Sequence, residues 1–221
     1  MVATISADIV NSTSLETEQL IQMRRSLYDF FDTISKKSPG FWGRIVRGDC
    51  IECYVPNYPD ALKISLLIKL YVKMIVGNWN CSSYLKQYGI RYSIGIGDIN
   101  YADKRDDIID GPAIYISGRN LDAISRERDV YSCIGIEKDY RGVSDILNSY
   151  VAMIDGLVNS YSLKQAEVVF YKLQGFKEMD IVERVGVNQS SVNSRSTLAD
   201  WNLLGKAIKD FENFNFEGIC G

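Results

Sequence analysis

The chain alternates between stretches with two distinct hydrophobic periods. Val2 to Asp8 is a short apolar run that reads as a buried strand. The segment 14–37 then places Leu15, Leu20, Ile21, Leu27, Phe30, Phe31 and Ile34 at three-to-four spacing, which predicts an amphipathic helix. Thr13 with Glu16 predicts a capping box at its start, and Ser38-Pro39-Gly40 a stop. "FWGRIVRGDCIECYV" alternates about a Gly-Asp step and reads as a hairpin, with strands near 41–47 and 50–55 and a turn at Arg47-Gly48-Asp49. Residues 58–78 are helical by the side shared by Ala61, Ile64, Leu67, Leu70, Tyr71 and Met74. "IRYSIGIGDINY" reads as a strand and the acidic segment 103–110 as a solvated loop. A helix from Pro112 and the strand "DVYSCIGIE" follow.

This order predicts an α+β fold in the split βαβ, ferredoxin-like arrangement, with an antiparallel sheet and helices on one face. It also brings the end of the first strand and the Gly48-Asp49 turn to one edge of the sheet. Residues 1–139 form this unit, and 140–161 a linker helix. From 162 to 221 strand signals vanish, and three helices fit at 162–174, 177–185 and 188–209.

Composition narrows the chemistry. The 221 residues carry 46% hydrophobic and 24% charged side chains, and a net charge of −3. A sequence pI near 5.1 gives the whole molecule no general attraction for nucleic acid, so DNA contact requires a local patch. No histidine is present, which removes imidazole metal sites and bases; metal chemistry falls to carboxylates and hence to Mg²⁺, Mn²⁺ or Ca²⁺. Five scattered cysteines form no disulfide framework, and Cys50 and Cys53 point to opposite faces of one strand. "MVATISADIV" lacks a basic leader, and Lys63, Lys69 and Lys73 interrupt the longest apolar run. The expectation is a cytoplasmic protein without a membrane span.

Asp8 either caps a strand or holds a ligand. Beside Asp49 it makes a pair of hard oxygen donors, while Asn11-Ser12-Thr13 forms a turn whose N–H groups can meet phosphate. "ADIVNST" resembles the metal-binding strand of class III nucleotide cyclases, F-x-D-I-x-G-F-T, and "RIVRGDCIECYV" resembles their Gly-Asp hairpin. "GIGDI" and "GPAIYISGR" fall where those enzymes carry G-I-x-x-G and G-x-x-V-N-x-A-x-R. Together with the C-terminal unit, these segments resemble the SatD-like family more closely. The resemblance covers roughly residues 2–136 plus that unit.

The resemblance implies a Mg²⁺ or Mn²⁺ site on Asp8, Asp49 and the Ile9 backbone. It also implies a nucleoside triphosphate whose phosphates meet Asn11, Ser12, Thr13 and Arg119, and a homodimer. Tyr115 stands where the ring-closing Asn would be, and Ile45 where the purine-selecting residue would be. Arg44 lies one residue away, and Asp107 matches a selecting Asp only with an offset. That pattern favours nucleotide binding over cyclisation, with Arg119 the one catalytic candidate. An active nucleotide cyclase, or an adaptor with neither activity, are the alternatives.

Residues 163–201 resemble the helix-turn-helix of sigma-factor region 4 and LuxR-type regulators. Ile181, Val185, Val187 and Val192 would close a small core about Gly186. Gln189, Ser190, Ser191, Asn193, Ser194 and Arg195 would contact DNA, the expected partner of residues 162–209.

Overall fold

The strand β1 (Val2–Ile9) organises the molecule because each of its faces meets a different helix layer. Ala3, Ile5, Ala7 and Ile9 are buried with Met23, Leu27, Phe30 and Phe31 of α1 (Thr17–Ser35) and with much of α2 (Ala61–Val76). On the opposite face Thr4 and Ser6 hydrogen-bond Ser117 of α4 (Pro112–Ile124), at 3.0 and 2.8 Å. The computed structural model describes residues 1–139, 142–216 and 218. Cys220, and residues 140 and 141 at the start of the expected linker, lie outside them.

Five strands form the main sheet in the order β2-β3-β1-β4-β7, where β2 is Trp42–Val46, β3 Cys50–Val55, β4 Ile90–Gly97 and β7 Ser132–Ile136. The β1–β3, β1–β4 and β2–β3 pairs are antiparallel, but β4 and β7 run parallel, with Ile94 opposite Ile134. The chain is α+β, and two expectations about its sheet are corrected. The sheet is mixed rather than antiparallel, because α4 is a crossover between β4 and β7 and returns the chain in the same direction. Helices cover both faces rather than one. The layer on the second face is unusually close: a Cβ on Gly95 would lie 2.1 Å from Ala113 O, and one on Gly135 2.5 Å from Ile116 Cγ2. Glycine is needed there because α4 rests on bare backbone.

Three local expectations also change. The capping box forms one turn later than expected, between Glu16 and Gln19, because Ser12–Ser14 form a separate 3₁₀ turn. The acidic segment is a small hairpin, β5 (Tyr101–Asp103) paired with β6 (Ile108–Asp110), not an open loop. A short helix α3 (Ser83–Tyr88) precedes β4.

Helix α5 (Val143–Asn159) lies along β7. Its Asn148 Oδ1 and Ser144 Oγ accept the N–H groups of Ile134 and Ile136, at 2.7 and 3.2 Å. A buried ion pair joins it to α2: Lys69 Nζ stands 2.7 Å from Asp155 Oδ1, with both side chains almost wholly enclosed. Four helices follow: α6 (Leu163–Leu173), α7 (Glu178–Val185), α8 (Gln189–Leu198) and α9 (Trp201–Glu212). The expected single helix over 188–209 is broken at Asp200, whose φ is +48°. The core is continuous across residue 161, since Phe170 lies 5.5 Å from Phe30 and 5.7 Å from Tyr71 between ring centroids. Among the described residues no helix is long and apolar enough to cross a membrane.

Candidate functional site

Asp8 continues the row begun by Thr4 and Ser6, so its carboxylate emerges on the face of the sheet that α4 partly covers. Register sets its neighbours: Cys50 of β3 lies opposite on one side and Arg91 of β4 on the other. The hairpin turn brings the second carboxylate. Arg47 and Gly48 both have positive φ, +52° and +91°, the backbone of a tight hairpin reversal, which glycine adopts without strain. Arg24 Nη1 donates to Gly48 O at 3.2 Å and ties the turn to α1. Asp49 O accepts the Ile9 N–H at 3.3 Å, and Asp49 Oδ2 accepts the Ser12 hydroxyl at 2.5 Å.

The electrostatics favour added positive charge. Burial pushes the Asp8 carboxyl above the usual range; Arg91 opposes that shift and Asp49 reinforces it. Arg91 Nη1 is 3.6 Å from Asp8 Oδ2. Asp8 Oδ1 and Arg91 Nε are both enclosed and meet no side-chain partner in hydrogen-bond geometry, although the backbone N–H groups of Arg91 and Asp8 lie close enough to help lower the carboxyl pKa. Buried polar atoms without partners are uncommon, and beside a second carboxylate such a pair is a place where water or an ion can be accommodated. Arg91 also lies 5.7 Å from the ring centroid of Tyr131, which stacks on Tyr88 at 3.9 Å.

The expected ligand set is thus brought together only in part. Asp8, Ser12, Asp49 and the Ile9 backbone meet at the strand end. Asn11 and Thr13 are exposed, and the Thr13 hydroxyl turns back to Asn11 Oδ1 at 3.5 Å. Arg119 is exposed on α4, and among the described residues no hydrogen bond or ion pair joins it to Asp8, Ser12 or Asp49. Tyr115, one turn earlier, gives its hydroxyl to the Asp110 carboxylate. Ile45 faces the opposite side of the sheet and is buried, whereas Arg44 shares the Asp8 side and pairs with Glu52 at 2.6 Å. Arg91 was not foreseen: a strand arginine becomes part of the site only once register sets it against Asp8.

Two carboxylates and a hydroxyl suit a hard divalent cation, with its other positions filled by ligand or water oxygens. Among the described residues no cluster holds three metal-binding acid or thiol side chains. A cation here would therefore depend on the oxygens of its ligand, as magnesium with a polyphosphate does.

The second candidate is the exposed side of α8. Val168, Ile181 and Val192 bury one another, with Val182, Val185 and Val187 around them, and so seat α8 across α6 and α7. Gly186, at φ +68°, ends α7, and Asn188 caps α8 by accepting the Ser191 N–H at 2.8 Å. Ser190, Asn193 and Ser194 are exposed. Gln189 Nε2 lies 3.5 Å from Glu178 Oε2, and Ser191 is half-buried. Arg195 is the exception among the expected contacts. Its side chain is only 18% exposed, and Nη1 is 3.8 Å from Glu167. Thr197 and Leu198, not anticipated, complete the exposed face.

Comparison with protein-family models, curated proteins and solved structures found no match.

Proposed function

We propose that the chain is a regulatory protein. Its sheet unit, in the ferredoxin-like arrangement of the class III cyclases, binds a Mg²⁺- or Mn²⁺-nucleoside triphosphate. Its α6–α9 unit is a helix-turn-helix that binds DNA as part of a homodimer. The observation that carries the first half is the pair of enclosed atoms without side-chain partners, Asp8 Oδ1 and Arg91 Nε, beside the Asp49 carboxylate. Asp8 and Asp49 would hold the cation, and a bound cation there would neutralise the carboxylates and carry phosphate oxygens. Arg91 is the guanidinium this chain offers those phosphates. Arg119, exposed on α4, is available to the second copy of a homodimer. Ser12 orients Asp49 through its hydroxyl.

Binding without ring closure is favoured by Tyr115, whose hydroxyl is committed to Asp110 where a ribose-orienting amide would be needed. The DNA half is supported by the polar, acid-free run from Asn188 to Ala199, presented on one side of a helix seated by a small core.

The test is calorimetry of each nucleoside triphosphate with Mn²⁺. Wild type is expected to bind at least one of them, and Asp8→Asn and Asp49→Asn to lose it. Equal binding by wild type and variants, or binding by neither, sinks the nucleotide half. Product formation in the same mixtures would replace the binding role with a cyclase or another triphosphate-consuming activity. A band shift at low salt tests the DNA half. A protein that shifts no DNA and binds no nucleotide would be left as an adaptor.

A further inference from the structure

We infer that α8 reads A·T base pairs in the major groove, through Asn193, Thr197 and Leu198. This inference rests on the DNA-binding reading above and specifies its target.

The argument starts from which α8 side chains are both exposed and uncommitted. Asn193, Ser194, Thr197 and Leu198 point outward, and no hydrogen bond or ion pair within the described chain occupies them. Leu198 is 71% exposed. Asn188 is taken by capping, and Ser190 donates its hydroxyl back to Asn188 Oδ1 at 2.9 Å. The face therefore offers one free carboxamide, two hydroxyls, one methyl from threonine and one isobutyl group.

Each base edge demands a different partner. Guanine presents two acceptors, O6 and N7, best met by the paired donors of arginine. The one arginine of α8 is Arg195, 18% exposed and 3.8 Å from Glu167, so meeting guanine requires it to leave that carboxylate. Cytosine presents a donor, met best by a carboxylate, and no acid occurs between Asn188 and Ala199. Adenine presents an acceptor and a donor side by side, which a carboxamide matches with two hydrogen bonds. Asn193 supplies that group near the middle of the exposed face. Thymine adds a methyl group that seeks apolar contact, and Thr197 and Leu198 supply it one turn further on. An exposed leucine is a liability in water and an asset against a row of thymine methyls.

The experiment is selection of bound duplexes from a random library by the full-length protein at low salt, followed by anisotropy titrations on the winning site. The expected outcome is an A·T core. Asn193→Ala should weaken binding to that core about tenfold, with little change on unrelated DNA. Replacing core thymines by uracil should weaken wild type several-fold, and a Leu198→Ser variant by less, since the Thr197 methyl remains. The base replacement alters only the DNA, so protein folding does not enter. Enrichment of a G·C core, or indifference to uracil, overturns the inference while leaving DNA binding intact. Failure to bind any duplex overturns both.

Discussion

Breaking the Lys69–Asp155 pair should be among the costliest single changes in the molecule. The Lys69 side chain is fully enclosed and that of Asp155 is 4% exposed, with 2.7 Å between Nζ and Oδ1. Asp155→Asn removes the countercharge and leaves Lys69 with the Ile90 carbonyl at 3.1 Å and the Tyr92 and Tyr131 rings at 5.7 and 5.9 Å. An uncompensated buried charge costs about 3–5 kcal/mol. The cost has a ceiling, because the lysine can shed its proton. Burial already pushes Lys69 below the ordinary lysine value of 10.5, and Asp155 is what holds it up. Deprotonation at pH 7 costs at most about 5 kcal/mol, at about 1.4 kcal/mol per pH unit. The sign follows from this. With Lys69 neutral in the folded variant but charged when unfolded, the variant should regain stability relative to wild type as pH rises. The gain is at most about 1.4 kcal/mol per unit, over the range below the ordinary lysine value in which the folded variant holds Lys69 neutral. Urea unfolding followed by circular dichroism at pH 7 and pH 9 reads both quantities. The double replacement Lys69→Met with Asp155→Leu should recover to within about 2 kcal/mol of wild type, because two well-packed apolar chains remove the desolvation cost altogether. A single-variant loss below about 1 kcal/mol refutes the reasoning. So does a double variant no more stable than Asp155→Asn.

The Lys73 ammonium, buried against the carbonyls of Val158, Asn159 and Tyr161, is pushed down to about 7. Its neutral form is favoured in the fold, so its contribution to stability falls as pH drops from about 10.5 towards 7. Lys73→Met should flatten the pH dependence between 7 and 9, measured by urea titration. Gly95→Ala should cost about 3 kcal/mol or more, since its Cβ would meet α4 backbone at 2.1 Å. Gly118→Ala, with nothing within 4 Å, should gain up to about 1 kcal/mol in the same assay. The Asp8 carboxyl is held above its usual range, so its ionisation opposes the fold above that value. Asp8→Asn should therefore raise the metal-free Tm at pH 7, more than at pH 4, while abolishing any Mn²⁺-induced rise; a lower Tm at both pH values counts against the site.

Much of this was written in the order of strands and helices. β1, the hairpin with its turn, α2, the start of α4 and Leu27, Phe30, Phe31 and Ile34 of α1 follow from period and punctuation, whereas Ile21, expected on that face, is exposed and the buried Met23 was missed. What escaped depends on distance. Thr4 and Ser6, small and polar in a buried strand, and Gly95 and Gly135 were the trace of a second helix layer. A single strand does not say which helix will lie on it. The β5–β6 hairpin hid behind charge, because backbone pairing needs no apolar side chain. At the candidate site, Asp8 and Asp49 were visible as sequence motifs, but Arg91 required the pairing register. Arg195 read as an exposed base reader because periodicity cannot see Glu167, 28 positions earlier, across the helix crossing.

The two side-chain oxygens that α5 offers to β7 also bear on how the protein behaves when incomplete. Ile134 and Ile136 have their outward N–H groups satisfied by Asn148 and Ser144, so that margin of the sheet is closed to further strands. A nascent chain that has emerged only as far as β7 would present a nearly all-buried apolar strand, Ser-Cys-Ile-Gly-Ile, with a bare rim. Release or truncation at that point should yield aggregates rather than a smaller soluble unit. Helix α5 thus acts as a seal that must arrive before the sheet is safe to expose.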